Sequence, residues 1–267
     1  HGERGTRSAR PARMANFEMS VGEYMLSPVI TVKRGATLRE ADQVLHEHGI
    51  SALAVTDDDG ALVGVLSRTD LLAAGSYGHD RTLALPEEKV EKRMTSPALA
   101  VDVEAPLSEA AKTMRKERVH RVFVTRDGAL AGVLSTRDLM RAVRDKGIKT
   151  PLEEVASSSL VKVKAEDPVA LAVDRLDRAN KQGLVVVEGA WPVGIFDQAA
   201  ALAARGLEPE ERVEEAMNLS VLVLPGHIPL ARAAAQALAM HVRRILILDD
   251  RGLRGIVSGL DFARAVG

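Results

Sequence analysis

Gly64-Val65-Leu66-Ser67-Arg68-Thr69-Asp70 is the stretch that decides the fold, because the same pattern returns twice in one frame. It stands again as Gly132-Val133-Leu134-Ser135-Thr136-Arg137-Asp138 and as Gly255-Ile256-Val257-Ser258-Gly259-Leu260-Asp261. Working outward, four segments share an opening: VGEYM (Val21 to Met25), VEKRM (Val90 to Met94), LEEVA (Leu152 to Ala156) and VEEAM (Val213 to Met217). From Met94 to Gly132, Ala156 to Gly194 and Met217 to Gly255 the distance is 38 positions each time. From Met25 to Gly64 it is 39, because the turn Asp57-Asp58-Asp59-Gly60 holds one more residue. A register kept through four segments marks an internal repeat, and the repeat sets the architecture before any single element is assigned.

Within each unit the order is βαββα. A short strand (ITV, LAVDV, LVKV, VLVL) leads into a helix with apolar residues at helical spacing, such as Leu38, Ala41, Leu45 and Leu107, Ala110, Met114. Two strands then form a hairpin, as in Val122-Phe123-Val124, the turn Asp127-Gly128 and Gly132-Val133-Leu134. A second helix closes the unit over Asp70 to Ala74, Asp138 to Val143, Ala199 to Arg205 and Asp261 to Val266. The strands are nearly continuous apolar runs, so both sheet faces should be covered. One unit of this size buries little core alone, which predicts pairing of the first with the second and the third with the fourth. The expected boundaries are 20–147 for the first pair (20–75 and 89–145) and 148–267 for the second (151–206 and 212–267). Arg144 to Pro151 reads as the linker between them.

Composition narrows the function classes. Apolar residues make up 46% of the 267 and aromatics 3%, giving an aliphatic core. Net charge is -1, so no broad field attracts nucleic acid or an anionic membrane. The absence of cysteine excludes disulfides, thiolate nucleophiles and Cys-based zinc sites. No apolar run reaches the ~18 residues of a membrane span, and the expected setting is a soluble protein of the cytoplasm. Residues 1–19 read as a disordered tail. Its arginines Arg4, Arg7, Arg10 and Arg13 suggest a vector remnant ahead of a start at Met14, with a nucleic-acid-binding arm as the alternative.

The repeated Gly-h-h-Ser-x-x-Asp run, in this frame, resembles the CBS domain family, whose units occur in pairs called Bateman modules. The resemblance covers about residues 20–267. It implies an α/β (α+β) fold of four tandem repeats paired into two modules, which pack face to face as a flat disc within one chain or as a dimer. It also implies clefts that take AMP, ADP, ATP or S-adenosylmethionine. On the matching positions, Asp70, Asp138 and Asp261 would accept from ribose hydroxyls, and Ser67, Ser135 and Ser258, with Thr69, would face phosphate. Ile30-Thr31, Leu99-Ala100 and Leu222-Val223 would line the adenine. Independently, the run sits at a strand-to-helix turn, where free N–H groups and the helix dipole favour an anion. The same Ser-x-x-Asp spacing also makes a capping box, and both roles can hold at once.

The units differ in ways that bear on ligand choice. The third has Asp197 and Ala200 where serine and aspartate stand elsewhere, so its site should repel phosphate and stay empty of nucleotide or take something uncharged. At the hairpin start the second unit has Arg118-Val119-His120-Arg121 and the fourth His241-Val242-Arg243-Arg244. The first has Gly49-Ile50-Ser51-Ala52 and the third Asn180-Lys181-Gln182-Gly183. The resemblance implies histidine or arginine on the nucleotide phosphates at this position, so Arg121 and Arg244, then His120 and Arg243, are the expected phosphate ligands; a guanidinium fork also matches phosphate. That tilts the choice toward AMP, ADP or ATP. No P-loop, dinucleotide fingerprint, HExxH or nucleophile elbow is present, and no catalytic pair stands out, so an enzyme is not expected. His46 and His48 face different directions on a helix, and Trp191 is expected to pack at its hairpin turn. The expected role is regulation of a partner protein by bound adenine nucleotide, with a ligand-free scaffold as the alternative.

Overall fold

Helical crossovers and tight turns build four similar units in the computed structural model, which describes residues 17–79, 82–179 and 183–267. Unit one runs α1 (Val21–Tyr24), β1 (Thr31–Lys33), α2 (Leu38–Glu47), β2 (Ala52–Thr56), β3 (Leu62–Ser67) and α3 (Arg68–Ala74). A small hairpin, β4 (Ser76–Tyr77) and β5 (Leu83–Ala84), follows. Unit two opens on a 3-10 turn (Val90–Lys92) and continues as β6 (Ala100–Asp102), α4 (Leu107–Glu117), β7 (Arg121–Arg126), β8 (Ala129–Ser135) and α5 (Thr136–Asp145). Unit three is α6 (Leu152–Val155), β9 (Lys162–Lys164), α7 (Val169–Ala179), β10 (Gly183–Glu188), β11 (Trp191–Asp197) and α8 (Gln198–Ala203). Unit four is a 3-10 turn (Val213–Glu215), β12 (Leu222–Leu224), α9 (Leu230–Ala239), β13 (Ile245–Asp249), β14 (Gly252–Val257) and α10 (Gly259–Val266).

Each sheet places its middle strand between a parallel and an antiparallel neighbour, as in β1-β2-β3 and β6-β7-β8. Parallel pairing needs a crossover, and α2, α4, α7 and α9 supply it. Leu38, Ala41 and Leu45 of α2, spaced three and four apart, are wholly buried, as are Leu107, Ala110 and Met114 of α4. The register slips at the same place in every hairpin, after Val55, Val124, Val186 and Ile247. At the turn of unit two Asp127 and Gly128 both have positive φ, 52° and 81°, the twist that a two-residue hairpin turn requires.

The opening segment of each unit lies on the other unit of its pair. Val21 and Gly22 donate to Ala105 and Val103 of unit two, both at 2.9 Å, while Leu26 and Val133 exchange backbone bonds of 2.8 and 3.0 Å. In return Val90 donates to Ala36 (2.9 Å), and Thr95 exchanges bonds with Val65. The second pair repeats this with Leu152 to Ile228, Ser157 with Ile256, Val213 to Asp167 and Asn218 with Ile195. The glycine opening each repeated run is the contact point. A Cβ on Gly132 would overlap Met25 Sδ and lie 3.0 Å from the Leu26 carbonyl; one on Gly64 would lie 2.7 Å from Met94 Sδ. Each methionine therefore rests on the glycine of its neighbour, not on that of its own unit.

Helices join the two pairs. The buried faces of α4 and α5 from unit two and α9 and α10 from unit four form one core that includes Leu139, Met140, Leu230 and Phe262. Units one and three keep separate cores and meet through α3 and α8. The sheets of units three and four share Val185, Val187, Ile195 and Leu246.

Several expectations change. Residues 1–16, with their arginines, lie outside the described residues, but residues 17–19 are not a disordered tail. Phe17 is 1% exposed within the core of unit two, and the Met19 carbonyl accepts from Leu107 N at 2.9 Å. Two apolar side chains next to α4 gain more from burial than the segment loses in freedom. The 144–151 linker is pinned to unit four, where Ile148 and Thr150 carbonyls accept from Ala231 (3.0 Å) and Leu230 (2.8 Å). Trp191 does not pack: at the first position of β11, paired with Glu188 across the turn, it is 57% exposed. Each closing helix begins two residues before its aspartate or equivalent, at Arg68, Thr136, Gln198 and Gly259. Among the described residues no helix is long and apolar enough to cross a membrane.

Candidate functional site

The sheet topology brings the repeated run and the first strand to one edge. Thr31, Ala54 and Val65 share a rung, and Ser67 lies opposite Ala52 two rungs on, roughly 7 Å at 3.4 Å per residue. In unit two Ala100 shares its rung with Phe123 and Val133, and Ser135 faces Arg121 directly. In unit four Leu222, Ile245 and Val257 share a rung, beside Arg244 and Ser258. Of the adenine-lining candidates, Thr31 and Ala100 are exposed, Ile30, Leu99 and Val223 half-buried, and Leu222 buried in its strand. The Leu99 carbonyl accepts from Phe123 N at 2.8 Å, so it is committed to the sheet. Thr69 is exposed.

Every Ser-x-x-Asp run is a working helix cap. Asp70 Oδ2 accepts from Ser67 N (2.7 Å) and Ser67 Oγ (2.6 Å). Asp138 Oδ2 does the same with Ser135 (2.6 and 2.7 Å), and Asp261 Oδ2 with Ser258 (2.8 and 2.9 Å). The serine protons are thus given to carboxylates, which differs from serines turned toward phosphate. What separates the three aspartates is the other oxygen. Asp138 Oδ1 is 3.0 Å from the Arg141 guanidinium, and the residue is only 3% exposed. Burial raises its carboxyl above the ordinary range against the lowering pull of the Ser135 bonds and of Arg141. Asp261 Oδ1 is 3.4 Å from Arg264. Asp70 Oδ1 has no such partner among the described residues, and Asp70 is half-buried. Arg141 and Arg264 also donate to the carbonyls of Tyr24 and Val155, tying each closing helix to the neighbouring unit's opening segment.

The basic residues converge where all four units meet. Arg121 Nη2 of unit two donates to Ser51 Oγ of unit one at 2.9 Å, and Arg243 Nη2 of unit four approaches the same hydroxyl at 3.4 Å. Arg137 reaches across to the Leu238 carbonyl and to His241 (3.5 and 3.4 Å). Among the described residues Arg121, Arg137 and Arg243 have no carboxylate partner. Burial and then the neighbouring Arg243 push the Arg121 guanidinium down to about 10, so it stays cationic near neutrality. Arg243 is lowered by burial, by Arg137 and by Arg244, against a raising pull from Asp197. A group of like charges with no carboxylate in direct contact favours an anion. Sequence register could place Ser51, His120 and Arg243 at equivalent positions, but not show that they meet.

Arg244 and Asp197 depart from the sequence expectation. Asp197 does not stand as a bare repelling charge: its Oδ2 is 3.0 Å from Arg244 Nη1. Its Oδ1 accepts from Ala200 N at 3.1 Å and caps α8. Arg244, expected to be free for phosphate, is therefore ion-paired. Residues 180–182, the third unit's equivalents at the hairpin start, lie outside the described residues.

His120 is an exposed residue whose ring lies within reach of three guanidiniums. Burial first, then Arg244, Arg121 and Arg243, hold its imidazole below the ordinary 6.5. As pH falls through about 6.5 the unfolded chain takes up a proton that the folded one refuses, so stability falls on acidification in that window. Between pH 7.5 and 5.5 the urea midpoint should drop more in the parent than in His120→Gln. Equal drops would remove His120 from the basic group.

A family model described as "CBS domain" matches residues 21–77, 89–145 and 213–267, which are units one, two and four. The chain belongs to the CBS domain family. An uncharacterized 17.7 kDa protein from Acidianus ambivalens is 29% identical over 145 residues, 53% of this chain and 85% of that protein. The inosine-5'-monophosphate dehydrogenase of Methanocaldococcus jannaschii is 30% identical over 131 residues, 46% of this chain. The chain spans 24% to 37% of the enzymes among these relatives. Among solved structures, protein MJ1225 of Methanocaldococcus jannaschii superposes with a TM-score of 0.76 at 18% identity, over 93% of this chain and 100% of that one. That likeness extends to the whole fold, unit three included.

Proposed function

We propose that the chain is a regulatory module that binds an adenine nucleotide, AMP, ADP or ATP, and catalyses nothing. The four units act as four CBS repeats, paired over 20–147 and 148–267. The observation that carries this reading is that Arg121, Arg137 and Arg243 gather where units one, two and four meet and, among the described residues, have no carboxylate in ion-pair contact. Phosphate satisfies such a group; S-adenosylmethionine, which has none, does not. The adenosine end would lie toward Ile30-Thr31 with Asp70 on the ribose. Filling the junction would change how the two pairs pack, and a partner protein would read that change.

A second reading rests on one observation: all three Ser-Asp runs are already occupied as caps. They would then be vestigial, and the chain a ligand-free scaffold. Thermal melting with AMP, ADP, ATP and S-adenosylmethionine, each at about a millimolar, separates the two. A ligand at ~100 times its Kd adds roughly 2.7 kcal/mol, and Arg121→Ala with Arg243→Ala should remove most of the shift. No shift with any nucleotide, from protein shown by mass to carry none, gives the scaffold reading the lead.

A further inference from the structure

We propose that Asp197 is a built-in competitor for the phosphate, holding Arg244 until an incoming anion displaces it. This rests on the nucleotide reading above and concerns the regulation of the same site. In units one, two and four the cap residue is a serine, tied to an aspartate three positions on. In unit three that later position is Ala200, so Asp197 caps α8 itself, through Oδ1 to Ala200 N. A carboxylate has a second oxygen to spare, and here it crosses from unit three to unit four, 3.0 Å from Arg244 Nη1. Both side chains are mostly shielded, at 15% and 21% exposure, so the pair is weakly screened.

The geometry is that of a phosphate oxygen on a guanidinium, supplied from within the chain. Among the described residues Arg121, Arg137 and Arg243 have no carboxylate in ion-pair contact, so an anion meets three guanidiniums bonded only to neutral groups and one held by a carboxylate. Binding that recruits Arg244 must break the pair, and Asp197 then keeps only its cap on α8. Since α8 packs on α3 of unit one, the exchange reaches the contact between the two pairs. Ligand affinity is held below what the four arginines could give, and phosphate arrival is linked to the packing of units one and three.

Calorimetric titration of ATP and of inorganic tripolyphosphate into the parent, Asp197→Asn, Asp197→Ser and Asp197→Asn/Arg244→Gln tests this. The serine variant keeps an acceptor for the Ala200 N–H, as Ser67 Oγ accepts from Asp70 N in unit one, and guards against a loss of fold, checked by melting. Both single variants should bind ATP and tripolyphosphate about five- to tenfold more tightly, as expected for one charge-assisted contact, and Arg244→Gln should cancel the gain. Binding by the parent with no gain in either single variant overturns the proposal, as does a gain that survives Arg244→Gln. No binding by any of the four proteins overturns the nucleotide reading itself.

Discussion

Gly132→Val should destabilise the chain by about 3 kcal/mol or more, within the range for forcing side-chain atoms into a packed contact. The strand β8 carries no side chain at Gly132 because unit one's opening segment crosses it there. A Cβ would overlap Met25 Sδ and sit 3.0 Å from the Leu26 carbonyl. The thioether can swing aside. The carbonyl cannot, because Leu26 exchanges backbone bonds of 2.8 and 3.0 Å with Val133, the next residue. Valine's γ carbons would force those bonds apart and lift α1 from Val103 and Ala105. Scanning calorimetry should show a fall in Tm of about 6 °C or more, at 2–4 °C per kcal/mol for a protein of this size. Gly255→Ala supplies the contrast: its neighbours are Ala156 Cβ at 3.1 Å and the Ser157 carbonyl at 3.2 Å, where a small side chain replaces methionine. It should cost less than Gly132→Ala, and Met25→Ala should recover part of the Gly132→Ala loss. A Gly132→Val protein melting within 1–2 °C of the parent, about half a kcal/mol, would mean the crossing is not made as described.

The second large effect separates two aspartates that look alike in sequence. Asp70→Ala should weaken nucleotide binding about a hundredfold, the loss of charge-assisted bonds to ribose hydroxyls, while stability falls only by a cap, about 1 kcal/mol. Asp138→Ala should do the reverse. Its carboxylate is buried, capping α5 with one oxygen and facing Arg141 with the other. Removing it leaves that arginine uncompensated where it ties α5 to Tyr24, a cost of about 2 kcal/mol with Arg141 one-third exposed. Asp138→Asn keeps an acceptor for the cap and should recover part of this. Titrations and melts on the same preparations decide. Equal affinity losses at both positions would put Asp138 back on the ribose, as the repeat alone suggests.

That contrast marks where sequence stops. The repeat register, the βαββα order, the buried faces of α2 and α4 and the hairpin turns were legible because each is local: periodicity, turn residues and caps lie within a few positions of one another. The Ser-x-x-Asp runs could be located as both site and cap for the same reason. Phe17, the β4–β5 hairpin and the crossing of each opening segment onto its partner unit were not legible, because each depends on what lies across a packed surface. So do the Asp70–Asp138 difference, set by Arg141, and the Asp197–Arg244 pair between units three and four. The basic group itself joins Ser51 to Arg121 and Arg243, 70 and 192 positions away. By itself the sequence determined what each unit is and which residues stand at its sheet end. Only the tertiary structure decided which of those ends face one another, because helix packing between the pairs, and no local pattern, brings their charges together.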